Sequence, residues 1–260
     1  MMKLKRIITN LIFVASLCCL MGCNKSRNGL SMVKIPGTKS RHGLSMVKIP
    51  GTNFEMLQTE VTQELYESIM GENPSNFKGA NNPVEMVSWY DAIYFCNKLS
   101  IAKGFTPVYE VDGNSDFNGW NYTPHQGNSI EGKIKGKITQ NTSANGYRLP
   151  TVVEWRYAAK GGRDYTYAGS NEIYEVAWYE GNSFGKTHPV AQKKANGYGF
   201  YDMTGNVEEW CWDYGLDGDR CYCGGSWFDI EYFCKVSCKL SCIHYFQYPY
   251  IGFRIIRSVE

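Results

Sequence analysis

Only two stretches of this sequence place apolar residues at helical spacing, and the rest is rich in Gly, Asn and short aromatic runs. The first, residues 83–103 (PVEMVSWYDAIYFCNKLSIAK), has Ser88 as a candidate N-cap. The second, residues 151–160 (TVVEWRYAAK), follows Pro150, carries Glu154 in its first turn and ends at a Gly-Gly pair. Because so little of the chain is helical, the remainder must form short strands and long loops. This pattern predicts an α+β fold.

The first 22 residues have the pattern of a bacterial lipoprotein signal peptide. Basic residues near the N-terminus precede an apolar stretch, which ends in the sequence LMGC at residues 20–23. This ending resembles a lipobox, in which the cysteine becomes the lipid-modified first residue of the mature protein. An ordinary secretory signal followed by a chance cysteine is the alternative. We therefore expect export, lipidation at Cys23, and anchoring to the outer membrane at the bacterial cell surface.

A ten-residue direct repeat, GLSMVKIPGT, occurs at residues 29–38 and again at 43–52. The second copy continues directly into the sequence that follows, so we expect it to supply the first strand. The first copy then belongs to a basic tether over residues 23–45, although a duplication without function explains the repeat equally well. No linker interrupts residues 46–260, which predicts a single domain there.

The distribution of charge disfavours one class of partner. Nine Lys or Arg and no acidic residue lie in residues 1–50, which leaves 18 basic against 25 acidic residues in 51–260. A mildly acidic domain is poorly suited to a phosphate backbone. We expect no nucleic-acid partner.

Five sequence blocks follow one another in a specific order: NPVEMVSWYDAIYFCNKLS, NGYRLPTVVEWRYAAKGG, NGYGFYDMTGNVEEWCWD, GGSW and IGFR. Together they resemble the formylglycine-generating-enzyme, or sulfatase-modifying-factor, branch of the C-type lectin fold, over nearly all of residues 46–254. The resemblance implies two helices, short antiparallel strands and long loops. Trp89, Trp155, Trp210 and Trp227 are large rings suited to the core of such a fold.

The best-known members of this branch are oxidases that convert a substrate cysteine to formylglycine with two copper-binding cysteines. Those cysteines would fall at 229 and 234, where this chain has Asp229 and Cys234. Asp is a hard oxygen ligand that suits Cu(I) poorly. We therefore expect no enzymatic activity. The alternative is an exported copper-dependent oxidase of the formylglycine-generating type that uses Cys234 with Cys238 or Cys242.

Some relatives hold calcium near the block that reads GNVEEW in this chain. The resemblance implies Gly205, Val207 and Glu209 as weak candidates for such a structural calcium site. A buried, hydrogen-bonded Glu209 is the alternative. We expect no other metal and no organic cofactor.

Seven cysteines remain once the signal peptide and the lipidated cysteine are set aside. Five of them crowd into residues 221–242, and an odd number cannot all pair within one monomer. A zinc or iron–sulfur site is disfavoured because the paired ligand spacings of such sites are missing. One or two adventitious disulfides stay open as an alternative.

The composition of residues 228–248 offers another origin for these cysteines. Seventeen of the 21 residues belong to the set Phe, Tyr, Cys, Ser, Ile, Leu, Val, Asp and His. All have codons ending in a pyrimidine, the type reached when the adenines of an AAC or AAT codon are randomised. This composition lies between GGSW and IGFR. In that position it resembles the variable region of proteins diversified by diversity-generating retroelements, which display mutated residues on the C-type lectin fold.

This second resemblance implies a ligand-binding face in a variable region at about residues 221–256. Residues of this region with the sampled composition are the expected ligand contacts: Cys221, Cys223, Phe228, Asp229, Tyr232, Phe233, Cys238, Ser241, Cys242, His244, Tyr245, Phe246 and Tyr248. We expect Trp227, Gly252, Phe253 and Arg254 to frame the face structurally, and about half of the aromatic residues in 228–248 to be exposed.

The expected function is therefore surface display of a face that binds varied macromolecular ligands. Tyr, Phe and His supply large and fairly rigid contacts, as they do in antibody loops. A broad aromatic surface suits an extracellular protein better than a sugar. The chain is expected to act as a monomer.

Overall fold

The computed structural model describes residues 44–126 and 133–259. Cys23, the signal peptide, the first repeat copy and most of the predicted tether lie outside these ranges, so the predicted domain boundaries stay predictions. Within the two ranges no helix is long and apolar enough to cross a membrane.

Short strands and a few helices make up the regular structure of the described residues. The strands are β1 (Met46–Lys48), β2 (Phe54–Leu57), β3 (Tyr109–Val111), β4 (Ile138–Gln140), β5 (Tyr147–Arg148), β6 (Glu208–Tyr214), β7 (Arg220–Cys223), β8 (Leu240–Cys242), β9 (Ile251–Phe253) and β10 (Ile256–Ser258). The α-helices are α1 (Gln63–Met70), α2 (Trp89–Ala102), α3 (Val152–Lys160) and α4 (Ile173–Val176). Short 3-10 helices cover Phe117–Trp120 and Leu216–Gly218.

The first sheet joins the start of the described chain to its end. Its strand order is β1-β2-β10-β5, and every pair is antiparallel. Met46 lies opposite Leu57, and Ile256 lies opposite both Met56 and Arg148. The prediction that the second repeat copy supplies the first strand is thereby confirmed.

The second sheet has the order β8-β7-β6-β9 and carries the segment of interest. β7 pairs antiparallel with β6 and β8, whereas β9 runs parallel to β6, with Glu208 opposite Ile251. The expectation of antiparallel strands is therefore wrong at β9. The reason is that β9 follows β6 only after β7, β8 and long loops, so no tight hairpin dictates its direction. β3 and β4 form a separate antiparallel pair.

The two predicted helices are confirmed, and each begins at a capping box. The Ser88 side chain accepts from the Asp91 N–H while the Asp91 carboxylate accepts from the Ser88 N–H. Thr151 and Glu154 form the equivalent box at the start of α3. α2 begins at Trp89, directly after the predicted N-cap Ser88. The preceding Met86 has a positive φ of 59° that a right-handed α-helix does not accommodate.

The expectation of only two helices is wrong, because α1 and α4 are also present. α1 carries standard end signals: the Thr62 side chain accepts from the Leu65 N–H, and Gly71 adopts the left-handed conformation at the C-cap. α4 covers only four residues and has no side-chain cap, so its sequence carries no comparable signal.

Three of the four predicted core tryptophans are fully buried. Trp89 donates its indole N–H to the Cys211 carbonyl at 2.9 Å, and Trp210 donates to the Val87 carbonyl at 3.0 Å. Each ring therefore fills the core while its one polar group is satisfied. Trp227 is only half-buried.

A buried ion pair links five separate positions of the chain. The Arg254 and Glu209 side chains are both fully buried, and Arg254 Nη2 lies 2.8 Å from Glu209 Oε1. The same guanidinium donates to the Leu57 carbonyl at 2.8 Å and the Tyr201 carbonyl at 2.7 Å. The Trp155 indole N–H donates to Glu209 Oε2 at 2.7 Å. Each end of this network satisfies groups that would otherwise be buried without partners.

We expect Arg254→Met to lower the free energy of unfolding by about 3 to 5 kcal/mol, because the Glu209 carboxylate is then buried in the core without a cation. Chemical denaturation of the full-length chain measures this loss. The matched control is Lys160→Met, which removes the cation of the solvent-exposed Lys160–Asp164 pair and should have little effect. Equal effects of the two substitutions would contradict the structural role given to Arg254.

Candidate ligand-binding face

The segment between β7 and β9 is held at its start by hydrogen bonds of Trp227 and at its end by buried residues. At its start, Trp227 donates its backbone N–H to the Asn206 carbonyl at 2.9 Å and its indole N–H to the Pro249 carbonyl at 2.8 Å. At its end, Gly252 and Phe253 lie in β9 and precede the buried Arg254. The predicted framing role of these four residues agrees with their placement.

Gly225 is required where the segment folds back on itself. Its φ of +69° is unfavourable for residues with a side chain, and a methyl group there would come within 2.6 Å of Cys234 Sγ. Cys234 is fully buried in a small apolar cluster that contains Tyr167, Ile173 and Val176. The close contact between Gly225 and Cys234 therefore packs the middle of the segment against the domain.

Three large apolar side chains of this segment project into solvent. Phe228 and Tyr232 are each 61% exposed, and Ile230 is 54% exposed. Phe228 and Tyr232 were predicted as contacts, whereas Ile230 was not, although it belongs to the same sampled composition and lies two residues from each. These three side chains form the exposed tip of the segment.

Most of the other predicted contacts are partly exposed. This group comprises Asp229, Phe233, Cys238, Ser241, Cys242, His244, Tyr245, Phe246 and Tyr248. The structure therefore brings eleven of the thirteen predicted residues to the surface at least in part. Of the six Phe and Tyr residues in 228–248, two are exposed and four are half-buried, so fewer rings are exposed than the expected half.

The prediction that Cys221 and Cys223 contact ligand is wrong for this structure. Their side chains are only 1% and 2% exposed, and both pack in a core cluster with Trp155 and Cys211. The cause is strand alternation: residues two apart in β7 point to the same face, and here that face is the core. Tyr222, between them, lies on the other face and is half-buried.

Aromatic side chains form a continuous row from Phe228 along the segment. Phe228 stacks on Tyr250 with ring centroids 5.8 Å apart, and Tyr250 stacks on Tyr248 at 5.0 Å. Edge-to-face contacts then continue the row. The ring centroids are 5.8 Å apart for Tyr248 and Phe246, 5.1 Å for Phe246 and Tyr245, 5.6 Å for Tyr245 and His244, and 5.1 Å for His244 and Tyr90. Each ring supports the next, which limits rotamer freedom before any ligand arrives.

The row continues beyond the predicted variable region. Tyr90 contacts Tyr122 at 5.8 Å, Tyr122 contacts Tyr94 at 5.8 Å, and Tyr94 contacts Phe117 at 4.8 Å. These residues come from α2 and the loop after it, far away in sequence. No local pattern in the sequence indicated that they would meet the C-terminal segment.

The carboxylate among the three calcium candidates is occupied by other contacts. Glu209 is committed to Arg254 and Trp155, so a calcium ion bound by its carboxylate would have to break the buried ion pair. The Val207 N–H donates to the Glu60 carboxylate at 3.0 Å and the Gly205 N–H donates to the Gly224 carbonyl at 2.9 Å, but these contacts do not involve the carbonyl oxygens through which Gly205 and Val207 would bind calcium. The alternative of a buried, hydrogen-bonded Glu209 fits this geometry better than a calcium ligand.

The two positions that correspond to the copper cysteines are not arranged for thiolate chemistry. Burial raises the pKa of the Cys234 thiol, and the nearby Asp229 raises it further, so the reactive thiolate is disfavoured. The pKa of Cys242 is raised to about 12, chiefly by burial. All seven cysteines of the described ranges are free thiols, and within those ranges no group of three or more His, Cys, Asp or Glu side chains is placed to hold a metal ion.

Similarity to known proteins covers most of the chain. The model of the sulfatase-modifying factor enzyme 1-like domain matches residues 21–259. The "Chaperone protein LppX" of Paenibacillus barcinonensis is 43% identical over 182 residues, which are 62% of each chain. The formylglycine-generating enzyme of Mycobacterium tuberculosis is 39% identical over 79 residues, 25% of this chain and 26% of the enzyme. The chain thus spans less than two thirds of either relative.

A solved structure agrees over a larger share of both chains. Treponema denticola variable protein 1 superposes with a TM-score of 0.71 at 34% identity, covering 83% of this chain and 92% of that one. The resemblance to variable proteins on a formylglycine-generating-enzyme-like fold is therefore confirmed. On the family match and this structural agreement, the chain belongs to the sulfatase-modifying factor enzyme 1-like family and has its C-type lectin fold.

Proposed function

We propose that this protein is displayed at the bacterial cell surface and binds macromolecular ligands through the face between β7 and β9. The observation that carries this proposal is the exposed tip formed by Phe228, Ile230 and Tyr232. A group of neighbouring large apolar side chains that stays in solvent is typical of an interaction site. Here they lie on a segment that the core holds at both ends, so the tip is presented on a stable support.

The chemistry of the face favours a protein ligand. Aromatic residues dominate protein interfaces because they bury much area at a small cost in side-chain entropy. Lysines lie over two of the rings, with Lys133 Nζ 4.5 Å from the Tyr245 centroid and Lys235 Nζ 4.9 Å from that of Tyr232. A polar rim around an aromatic centre is typical of a protein-binding site.

We further propose that a retroelement diversifies this segment. Two observations support the proposal: the composition of residues 228–248, and the similarity to Treponema denticola variable protein 1. The structure is compatible with extensive substitution because the partly exposed residues are separate from the buried Arg254–Glu209 network. Surface substitutions away from buried networks usually change stability by only about 0.5 kcal/mol.

The proposal also includes the lipid anchor, the tether, the monomeric state and the absence of a cofactor expected from the sequence. A lipid on Cys23 would hold the protein at the outer membrane, and the basic tether would separate the domain from the lipid surface. The protein would act as a monomer, without nucleic acid and without a metal cofactor. The catalytic alternative draws support from the related formylglycine-generating enzymes, but the burial of Cys234 argues against it.

We predict that Phe228→Ala combined with Tyr232→Ala abolishes most ligand binding, because the two rings supply the exposed centre of the face. Random-peptide phage are selected on the full-length chain, and the affinity of each selected peptide is then measured for both forms. The double variant should lose about 30-fold or more in affinity, the loss expected when a hot-spot residue is removed.

The matched control is Val153→Ala combined with Tyr174→Ala, which truncates side chains that are 75% and 60% exposed but lie on α3 and α4. This control should keep the affinity of the parent chain. Peptides that tolerate the Phe228 and Tyr232 substitutions as well as the control would contradict the proposed face. Stoichiometric copper that disappears in Cys234→Ser would favour the oxidase instead.

A further inference from the structure

One exposed ring outside the predicted variable region lies beside the candidate face. Phe184 is 86% exposed, the largest exposed fraction of any large apolar side chain in the described part of the chain. It belongs neither to residues 228–248 nor to the aromatic row that runs along them. A single exposed apolar residue is ordinary on a protein surface, so the support and the location of Phe184 decide whether it has a function.

The loop that carries Phe184 is firmly held to the domain. The preceding Ser183 is fully buried, and its hydroxyl donates to the Trp227 carbonyl at 2.7 Å. The Ser183 carbonyl lies 2.7 Å from His188 Nε2, and the His188 ring stacks on Trp178 with centroids 3.9 Å apart. Because the backbone beside Phe184 is fixed, a ligand that covers the ring does not have to order the loop.

Phe184 also adopts a backbone conformation that disfavours its side chain. Its φ is +56°, in the left-handed region where glycine is favoured and a bulky residue is uncommon. Since the ring is almost wholly in solvent, packing within the domain does not compensate for this strain. Contact with a partner accounts for a phenylalanine at such a position.

Phe184 lies close enough to the exposed tip to share its ligand. The hydrogen bond between Ser183 and Trp227 joins the residue before Phe184 to the residue before Phe228. Since consecutive Cα atoms are about 3.8 Å apart, this bond places the Cα atoms of Phe184 and Phe228 at most about 15 Å apart. A standard interface covers about 800 Å² on each partner, which is a patch roughly 30 Å across. A protein ligand that covers the tip is therefore wide enough to reach Phe184.

We propose that Phe184 is a ligand contact of the same binding face, supplied by the framework rather than by the predicted variable region. Its ring packs against an apolar side chain of the protein ligand, beside the area covered by Phe228 and Tyr232. A constant apolar contact adds affinity for different ligands, whereas the variable side chains decide which of them binds. The inference rests on the proposed binding function and names a contact that stays the same while the segment between β7 and β9 changes.

The test uses peptides selected from random-peptide phage on the full-length chain, restricted to those that lose affinity when Phe228 and Tyr232 are both changed to Ala. Phe184→Gly should weaken the binding of most of these peptides about tenfold, the loss expected when a buried interface contact is removed. Phe184→Asn should weaken it equally, because Asn tolerates the left-handed region but lacks the ring. Neither variant should lower the midpoint of chemical denaturation, since both residues suit the positive φ.

The matched control is Val153→Ala, which truncates a side chain that is 75% exposed on α3 and should leave the affinity unchanged. If most of the restricted peptides bind the Phe184 variants like the parent chain, the inference is overturned and the proposed function stands. A loss in Phe184→Gly that Phe184→Asn does not share would also overturn it, because added loop flexibility would then be the cause.

A lower denaturation midpoint in both variants would give Phe184 a structural role and equally overturn the inference. If no selected peptide depends on Phe228 or Tyr232, the proposed binding face is itself refuted, and the inference falls with it.

Discussion

The buried pair of Arg254 and Glu209 is the interaction on which the rest of the structure depends. It joins β6 to the chain just after β9, and it also holds the carbonyl groups of Leu57 and Tyr201 and the indole of Trp155. A charge pair in a core stabilises only when nearly every hydrogen-bonding group is satisfied, which is the case here. The consequence is that the C-terminal end of the candidate face is fixed by contacts that involve no residue of its exposed surface.

The opposite end of the face is fixed by different means. Cys221 and Cys223 pack into the core from β7, and Gly225 lies against the buried Cys234. Between these anchors the aromatic row runs along the surface and continues onto residues of α2. A fixed frame with a partly exposed aromatic surface is the arrangement that permits substitution without loss of the fold. In the same frame, the Oε2 atom of Glu208 is buried without a hydrogen-bond partner in the described structure.

The sequence predicts much of this fold because local signals and block order agree. Ser88 and Thr151 cap the two long predicted helices, and the second repeat copy forms β1. Composition alone misassigned Cys221 and Cys223, since it carries no information on which face of β7 they occupy. Phe117 and Tyr94 join the aromatic row through tertiary packing, which no short-range pattern encodes. Glu208 and Glu209 are adjacent in the sequence but lie on opposite faces of β6. No sequence pattern distinguishes them, so only the structure shows that Glu208 Oε2 has no hydrogen-bond partner.

The central claim is that the surface between β7 and β9 is diversified while its frame is constant. Deep sequencing of the 3′ end of the gene across clones of the source population tests this claim most directly, together with a search nearby for a template repeat and a reverse transcriptase. We expect substitutions at adenine-templated codons for partly exposed positions such as Phe228, Tyr232 and Tyr245, and none at Trp155, Glu209 or Arg254. An invariant segment that always retains Cys234 would contradict the claim and return attention to copper and thiol chemistry.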